Sequence, residues 1–287
     1  MTTEIFDPTV CTLGEGPLWH PELGQLFWFD IMGKALLSRA GGETQRWGFD
    51  EHVSAAGWLD RGTLMIASET ALIRFDLASG KSETVVPLEA GNPRTRSNDG
   101  RADPWGGFWI GTMGKNAEDG AGAIYRYFRG ELRQLYAPIT ISNAICFSPD
   151  RRFAYFADTR ARTVWRQTLK ETDGWPLGGA EVFLDFTRDG INPDGAVCDA
   201  DGFFWNAQWG AARLSRFNAA GALISEIPLP TDHITCPAFG GSDLRTLYAT
   251  SATQGLGKDK LAAQPDAGKT FATAVHVAGQ EEHRVVL

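Results

Sequence analysis

The stretch RSNDGRADPWGGFWIGTM, residues 96–113, decides the fold of this chain. A polar residue, Asn98, opens a short run, a turn follows at PWG, and an aromatic strand, FWI, comes next. The same order recurs in LGEGPLWHPELGQLFWF (13–29), SNAICFSPDRRFAYF (142–156) and PDGAVCDADGFFW (193–205). The chain therefore contains an internal repeat in which a polar residue stands at nearly the same place each time.

The spacing within this repeat is nearly constant. The polar residue precedes the centre of the aromatic strand (Trp28, Trp109, Phe156 and Trp205) by 13, 11, 13 and 11 residues. The two-residue difference fits longer turns in two of the repeats. If the repeats are arranged around an axis, their polar side chains converge on one point, and these are Glu15, Asn98, Asn143 and Asp194. Two carboxylates and two amides meeting at one point predict a metal site.

Aromatic or apolar strands recur along the whole chain, centred near Trp28, Met65, Trp109, Phe156, Trp205 and Tyr248. The intervals are 37, 44, 47, 49 and 43 residues, which is the spacing of propeller blades. Alternating strands such as ALIRFDL and AIYRYF, with frequent Asp-Gly turns, support this interpretation. We predict an all-β fold, a six-bladed β-propeller with four antiparallel strands per blade, formed as a single domain by residues 1–287.

Two further expectations concern the ends and the loops. A propeller must close to leave no exposed strand edge. We expect the segment before Glu15 to pair with the C-terminal HVAGQEEHRVVL (276–287) for this purpose. The stretch QGLGKDKLAAQPDAGKT (254–270) is polar and contains glycine, and we expect a surface loop within the last blade.

The composition limits the partners of the protein. The chain has 287 residues, is 43% hydrophobic, and carries a net charge of -8 with acidic and basic residues mixed. This pattern argues against nucleic acid or an anionic membrane as a partner. No apolar run reaches membrane-spanning length, and the N-terminus has no signal-peptide pattern, so we expect a cytoplasmic protein. We also expect a monomer or weak homodimer. The cysteines, widely spaced and without a CxxC pair, are expected to be buried reduced thiols: Cys11, Cys146, Cys198 and Cys236.

The second and sixth blades carry smaller residues at the position of the repeat that Glu15, Asn98, Asn143 and Asp194 occupy in the other four. These are Ser54 and either Thr235 or Cys236. The alternative interpretation of the polar residues is that they only shape the backbone of turns, because Asn-Asp-Gly and Pro-Asp-Gly are common turn sequences. Two observations weigh against it. The third and fifth blades already have separate turns, at PWGG and DADG. Glu15 and Asn143 are not turn formers flanked by a hairpin.

The same segments resemble the regucalcin / senescence marker protein / gluconolactonase family of six-bladed propellers, which includes sugar lactone lactonases. The matching pieces are LGEGPLWH, RSNDGRADPWGGFWIGTM, SNAICFSPD and PDGAVCDADGFFW. The resemblance implies that Glu15, Asn143 and Asp194 bind the metal. It implies substrate contacts from Arg96 and Asn98. It also places substrate contacts in the loop GKNAEDGAG, where the closest positions are Asn116 and Glu118.

The oxygen ligand set suits one divalent cation, Ca²⁺, Mg²⁺ or Mn²⁺, with Zn²⁺ or Fe²⁺ also compatible. Such an ion would polarise a lactone carbonyl and lower the pKa of a bound water. Asp194 is the candidate base as well as a ligand, and Asn98 would help to stabilise the oxyanion. Arg96 offers planar donors to ring oxygens, or alternatively an ion pair between blades. Trp209 would flank a sugar ring or serve packing alone.

The leading hypothesis is a metal-dependent lactonase that opens an aldonolactone or related small-molecule sugar lactone to the free acid. The alternative is a calcium-binding or scaffolding propeller without turnover; Arg96 and Asn98 favour the enzyme. A phosphoester hydrolase would need more basic or histidine residues around the channel. The sequence contains no G-x-S-x-G elbow, P-loop or dinucleotide fingerprint.

Overall fold

Six four-stranded antiparallel sheets follow one another along the chain in the computed structural model, which describes residues 2–40 and 42–287. The prediction of an all-β, six-bladed β-propeller is therefore confirmed. We number the strands along the chain and the blades by their innermost strands. In the first five blades the chain runs outward from the centre, strand by strand, and in the sixth the outer strand is the N-terminal one.

The innermost strands are almost fully buried because both of their faces are covered by protein. They are β2 (Gly14–His20), β6 (Val53–Asp60), β10 (Thr95–Ala102), β14 (Ser142–Phe147), β18 (Asn192–Cys198) and β22 (Ile234–Gly240). Each contacts the innermost strand of the next blade, and β22 contacts β2, so that the six form a closed circle.

The second strands carry most of the aromatic residues noted above. They are β3 (Gln25–Asp30), β7 (Thr63–Ser68), β11 (Phe108–Gly114), β15 (Phe153–Asp158), β19 (Phe204–Trp209) and β23 (Thr246–Ser251). Trp28, Trp109 and Trp205 are at most 2% exposed and pack between neighbouring blades. Burying each indole removes roughly 150–250 Å² from water. The aromatic residues that recur along the sequence therefore pack the blades against one another.

The third strands range from partly to mostly buried, and the outer strands are mostly exposed. The third strands are β4 (Ala35–Ala40), β8 (Ala71–Asp76), β12 (Gly122–Phe128), β16 (Thr163–Thr168), β20 (Arg213–Phe217) and β24 (Thr270–Ala274). The outer strands are β5 (Glu43–Gly48), β9 (Ser82–Pro87), β13 (Glu131–Ile139), β17 (Glu181–Asp185), β21 (Leu223–Pro228) and β1 (Thr3–Asp7).

The N-terminal strand closes the ring, but not with the predicted partner. β1 pairs with β24 as the outer strand of the sixth blade, with Thr3 opposite Thr273 and Ile5 opposite Phe271. The expectation that residues 276–287 provide this pairing is wrong. Those residues form no strand.

Residues 276–287 instead cross the end of the channel opposite to the predicted metal site. The Gln280 side chain donates to the Phe147 and Cys198 carbonyls, and the Glu282 carbonyl accepts from the Trp58 indole. The Glu282 carboxylate pairs with the buried Arg101 guanidinium. The carbonyl acceptors lie at the ends of innermost strands, so this segment covers one opening of the channel.

The two-residue difference in spacing has two sources rather than one. The turns after β2 and β14 are one residue longer than those after β10 and β18. In addition, Trp28 and Phe156 lie one position farther along their strands than Trp109 and Trp205 do. From the polar residue to the end of its ladder the distance is five residues in all four blades, as in Glu15 to His20.

The stretch 254–270 lies between β23 and β24, as expected, but it is not wholly irregular. It contains the helix α1 (Lys258–Ala263), which buries no residue. In the described part of the chain no helix is long and apolar enough to cross a membrane. All four cysteines are buried and free, as predicted.

Candidate active site

A β-bulge interrupts every innermost strand at its polar position. The ladder register shifts between Glu15 and Leu18 in β2, and between Asn143 and Cys146 in β14. The other shifts lie at Ser54 in β6, Asn98 in β10, Asp194 in β18 and Thr235 in β22. A bulge bends the strand and re-aims a side chain. The six polar positions are thus also the positions at which the strands turn their side chains away from the regular ladder.

Two of these bulges require an unusual backbone. Gly16, directly after Glu15, has φ of 54°, and a Cβ there would lie 2.2 Å from the Ser54 carbonyl oxygen. Ala144, directly after Asn143, has φ of 58°. A residue with a side chain at position 16 would be both strained and in collision. The Gly of GEGPLW therefore fixes the position of the neighbouring carboxylate.

A cavity of about 360 Å³ opens at the end of the channel where the polar positions of the innermost strands lie. Its lining includes the polar residues of four blades together with Arg96, and these are Glu15, Asn98, Asn143 and Asp194. The structure therefore brings all five of these predicted residues to one cavity. Their roles as ligands, base or substrate contacts stay predictions.

Hydrogen bonds hold the neutral side chains of the site in one arrangement. Arg96 Nη1 donates to Asn98 Oδ1 at 2.7 Å, and Asn98 Nδ2 donates to the Ser142 carbonyl at 2.9 Å and to Asn143 Oδ1 at 3.2 Å. Asn143 Nδ2 donates to Thr159 Oγ1 at 2.8 Å. Asn98 uses both hydrogens of its amide and Asn143 uses one, so Asn143 Oδ1, which accepts only from Asn98, keeps a lone pair available to a ligand.

The two carboxylates have few partners. Glu15 and Asp194 are each only 4% exposed. Burial, with the negative charge of Asp99, raises the pKa of Glu15 to about 8. Burial, with the charges of Glu15 and Asp99, raises the pKa of Asp194 well above its ordinary value. The only hydrogen bond to the Glu15 carboxylate in the described structure comes from the Gly16 amide. These carboxylates repel each other in a desolvated site.

Asp99 is a buried acid that the sequence analysis did not single out. It is 4% exposed, and Oδ2 accepts a 2.6 Å hydrogen bond from the Ile145 amide. Burial raises its pKa to about 6. Its position in the turn-like triplet Asn-Asp-Gly hid it, because Asp in that context is commonly a turn residue. In the structure it is buried within β10 and does not line the cavity.

The donor set fits a divalent cation. Uncompensated buried carboxylates are costly unless a cation lies between them. Glu15 and Asp194 form no ion pair within the described residues, and Arg96 hydrogen-bonds to Asn98 rather than to either acid. In that same part of the chain, no group of three or more His, Cys, Asp and Glu side chains is placed to hold a metal. A cation here would therefore depend on the amide oxygen of Asn143 as well as on the two acids.

The loop after β11 does not present its predicted residues to the cavity. The lining includes Ala117 but neither Asn116 nor Glu118. The Glu118 carboxylate accepts from the Asn116 amide nitrogen at 3.1 Å and from the Asn116 side chain at 3.1 Å. The two side chains thus satisfy each other within the loop. Their assignment as substrate contacts stays a prediction.

Trp209 lines the cavity on the side of the fifth blade. Its ring stacks on His233 with centroids 3.9 Å apart and an interplanar angle of 18°. His233 is held in turn by the Gln254 carbonyl at 2.9 Å. One face of the indole is therefore occupied by protein and its orientation is fixed. Such a fixed aromatic surface suits a sugar ring.

Comparison with known proteins agrees with this architecture. The crystal structure of regucalcin from Agrobacterium tumefaciens strain C58, described as a calcium-binding protein, superimposes with a TM-score of 0.97 at 39% identity and covers 100% of this chain and 98% of that one. The 6-deoxy-6-sulfogluconolactonase of Pseudomonas putida is 36% identical over 94% of each chain. The L-arabinolactonase of Azospirillum brasilense is 35% identical over 95% of this chain and 92% of its own.

The family model described as "SMP-30/Gluconolactonase/LRE-like region" matches residues 13–253, which include all six innermost strands. The match covers well over half of the chain. The protein therefore belongs to the SMP-30/gluconolactonase/LRE-like family.

Proposed function

We propose that the protein hydrolyses a sugar lactone to the free sugar acid and that it uses one divalent cation held by Glu15, Asn143 and Asp194. The observation that carries the proposal is the pair of buried carboxylates facing one cavity beside Arg96 and Asn98. The names of the relatives, which include lactonases for a sulfosugar and for arabinose, support the reaction class.

The reaction adds water to the lactone carbonyl carbon and breaks the ring C–O bond. The attacking water loses a proton and the departing ring oxygen gains one. When bound, a divalent cation would polarise the carbonyl and favour ionisation of water. The all-oxygen donor set suits Ca²⁺, Mg²⁺ or Mn²⁺, while Zn²⁺ and Fe²⁺ are also compatible.

The side chain of Asp194 is the proposed proton acceptor. It lies in the same cavity as the amides and is shielded from bulk water, so that its carboxylate is more basic than an exposed one. A general base is most effective when its pKa lies near the operating pH. Burial of Asp194 shifts its pKa in that direction.

Arg96 and Asn98 are the proposed contacts for the substrate. Arg96 Nη1 is used by Asn98 and the Ser97 carbonyl, which fixes the guanidinium plane. Burial lowers the pKa of Arg96 to about 10, so the group remains cationic at neutral pH. A fixed guanidinium supplies planar donors to the oxygens of a lactone. Trp209 supplies the apolar wall on which the sugar ring rests.

The test is a panel of sugar lactones followed in a pH-stat with metal-free and metal-reconstituted protein. We expect turnover above the uncatalysed background only after a divalent cation is restored. Absence of turnover with full metal occupancy would leave a metal-binding propeller, as the description of the Agrobacterium relative allows. Equal turnover in the presence of a strong chelator would reject the cation but not the lactonase.

A further inference from the structure

Two arginines stand at the rim of the cavity on the side of the fourth blade. Arg160 and Arg162 belong to the four-residue hairpin loop 159–162 between β15 and β16, and both line the same cavity as Glu15 and Asp194. Arg160 is exposed and Arg162 is half-buried, whereas the two acids are almost completely buried. The arginines therefore lie nearer to the solvent, and the acids form the floor.

Neither guanidinium has an acidic partner among residues 2–40 and 42–287. Within the described residues no carboxylate lies within 4.0 Å of either group. The nearest acid along the chain, Asp158, is buried and its carboxylate accepts from the backbone amides of Thr140, Ile141 and Arg160. Asp158 is therefore already satisfied without either arginine side chain.

One of the arginines is oriented by a neighbour. Arg162 Nε donates to Asn192 Oδ1 at 3.2 Å, and Asn192 also lines the cavity. This single bond leaves the two terminal nitrogens of the guanidinium without a side-chain partner in the described structure. A guanidinium held at one nitrogen and free at the others is prepared for bidentate binding of an oxyanion.

The backbone of the loop does not explain the arginines. Arg162 has φ of 54°, and the corresponding last loop residues of the first and fifth blades, Lys34 and Ala212, have φ of 50° and 53°. Lys34 uses its amine on the Asp50 carbonyl and lies outside the cavity. Because alanine adopts this conformation in the equivalent hairpin, the turn itself does not require a cationic side chain.

The charges of the lining favour an anion. Among the lining side chains, three guanidinium groups (Arg96, Arg160 and Arg162) face two carboxylates (Glu15 and Asp194). The lining is thus net positive in a protein whose overall charge is -8. A divalent cation between the two acids would increase this local excess. Such a concentration of one sign of charge in a cleft attracts ligands of the opposite sign.

We propose that Arg160 and Arg162 bind an anionic group on the substrate, at the end remote from the lactone carbonyl. The substrate class is then an acidic sugar lactone, which carries a carboxylate, sulfonate or phosphate in addition to the ring ester. This assignment rests on the lactonase function proposed above. The carbonyl lies over the floor at Glu15 and Asp194, and the anion lies at the rim.

The experiment compares lactones that differ only in the group at the far carbon. Gluconolactone is the neutral member; the acidic members carry carboxylate (glucarolactone), phosphate or sulfonate at that carbon, and these arms distinguish the three anions. For at least one acidic member we expect kcat/KM about tenfold or more above that of gluconolactone. Raising the salt concentration should reduce this preference, because the rim is exposed to solvent.

The decisive variant is Arg160→Ala with Arg162→Ala. We expect it to lower kcat/KM for the preferred acidic lactone by roughly 10- to 100-fold and to change the value for gluconolactone by no more than about twofold. The matched control is Arg151→Ala with Arg152→Ala, which removes two charges from the opposite end of the same blade; Arg151 also has a left-handed φ of 60°. The control should leave both substrates within about twofold of wild type.

The outcomes separate this proposal from the lactonase itself. Hydrolysis of gluconolactone with no preference for any acidic member, or an equal loss on both substrates in the rim variant, would overturn the anion site and leave the lactonase in place. If the protein hydrolyses neither, the same lactones become plain ligands. Calorimetry then decides, and the rim site stands only if the acidic lactone binds more tightly and the rim variant removes the difference.

Discussion

Replacing Glu15 by glutamine should stabilise the metal-free protein at neutral and alkaline pH while it weakens cation binding. Glu15 is buried, and desolvation together with the charge of Asp99 raises its pKa from 4.5 to about 8. Glutamine has nearly the same shape and carries no charge. The variant therefore removes the electrostatic cost and keeps the packing.

The sign and size follow from proton linkage. Between pH 4.5 and about 8 the folded protein holds a proton on Glu15 that the unfolded chain has released. The free energy of unfolding therefore falls as the pH rises through this window, by about 1.4 kcal/mol per pH unit for one group. From pH 5 to pH 8 the wild type should lose about 4 kcal/mol that the variant does not lose. Below pH 4.5 the two proteins should converge.

The assay is urea unfolding of chelator-treated wild type and Glu15→Gln across this pH range. Glu43→Gln, a change at an exposed position in β5 of the same blade, is the control. It should leave the dependence of the free energy of unfolding on pH the same as in the wild type. Adding a cation at about 100 times its Kd for the wild type should raise the wild-type free energy of unfolding by about 2.7 kcal/mol and that of the variant by less. Parallel pH curves for wild type and Glu15→Gln would refute the reasoning, because they would show that Glu15 is not a costly buried charge.

Four other changes test separate parts of the site and its support. Asp194→Asn should lower kcat by a factor of about 10² to 10⁴ and reduce cation affinity far less, because an amide oxygen coordinates but accepts no proton; calorimetry beside lactone turnover checks this, and near-normal turnover would assign the base elsewhere. Arg96→Ala should raise KM or lower kcat/KM with unchanged cation affinity; weakened cation binding would contradict it. Trp209→Ala should raise KM, and an unchanged KM would show that the indole does not contact the sugar. Glu282→Gln leaves Arg101 buried without its carboxylate and should cost about 3–5 kcal/mol in urea unfolding; a loss below about 1 kcal/mol would show that water reaches Arg101.

The repeat in the sequence predicts the blades and the convergence of the polar residues because both depend on local patterns. The aromatic residues recur since every interface between blades needs them, and Glu15 and Asp194 stand out because a charged residue opens an apolar run. The number of residues from each polar position to the end of its ladder is the same in the four blades. The fold and the shared cavity therefore follow from periodicity.

Other features depend on contacts that no local pattern encodes. Asp99 occurs in a triplet typical of turns, and only the bulge in β10 shows that it is buried. Residues 276–287 have strand-like composition at their end, but the edge they would cover is taken by β1. The rim arginines lie in an unremarkable polar loop, and their significance appears only when the fourth blade is placed beside the cavity.

The pairing of β1 with β24 has a consequence for how the protein folds. The hydrogen bond between the Thr3 and Thr273 hydroxyls joins residues 270 positions apart, so the sixth blade cannot be completed until nearly all of the chain has found its place. Contacts of such long range form slowly, because closing the intervening chain costs conformational entropy before the contacts contribute any stabilisation. Until then β24 presents an unpaired edge, to which the β1 of a second chain is as complementary as its own. The same strand that completes the ring is therefore the element through which two copies would exchange when they refold at high concentration.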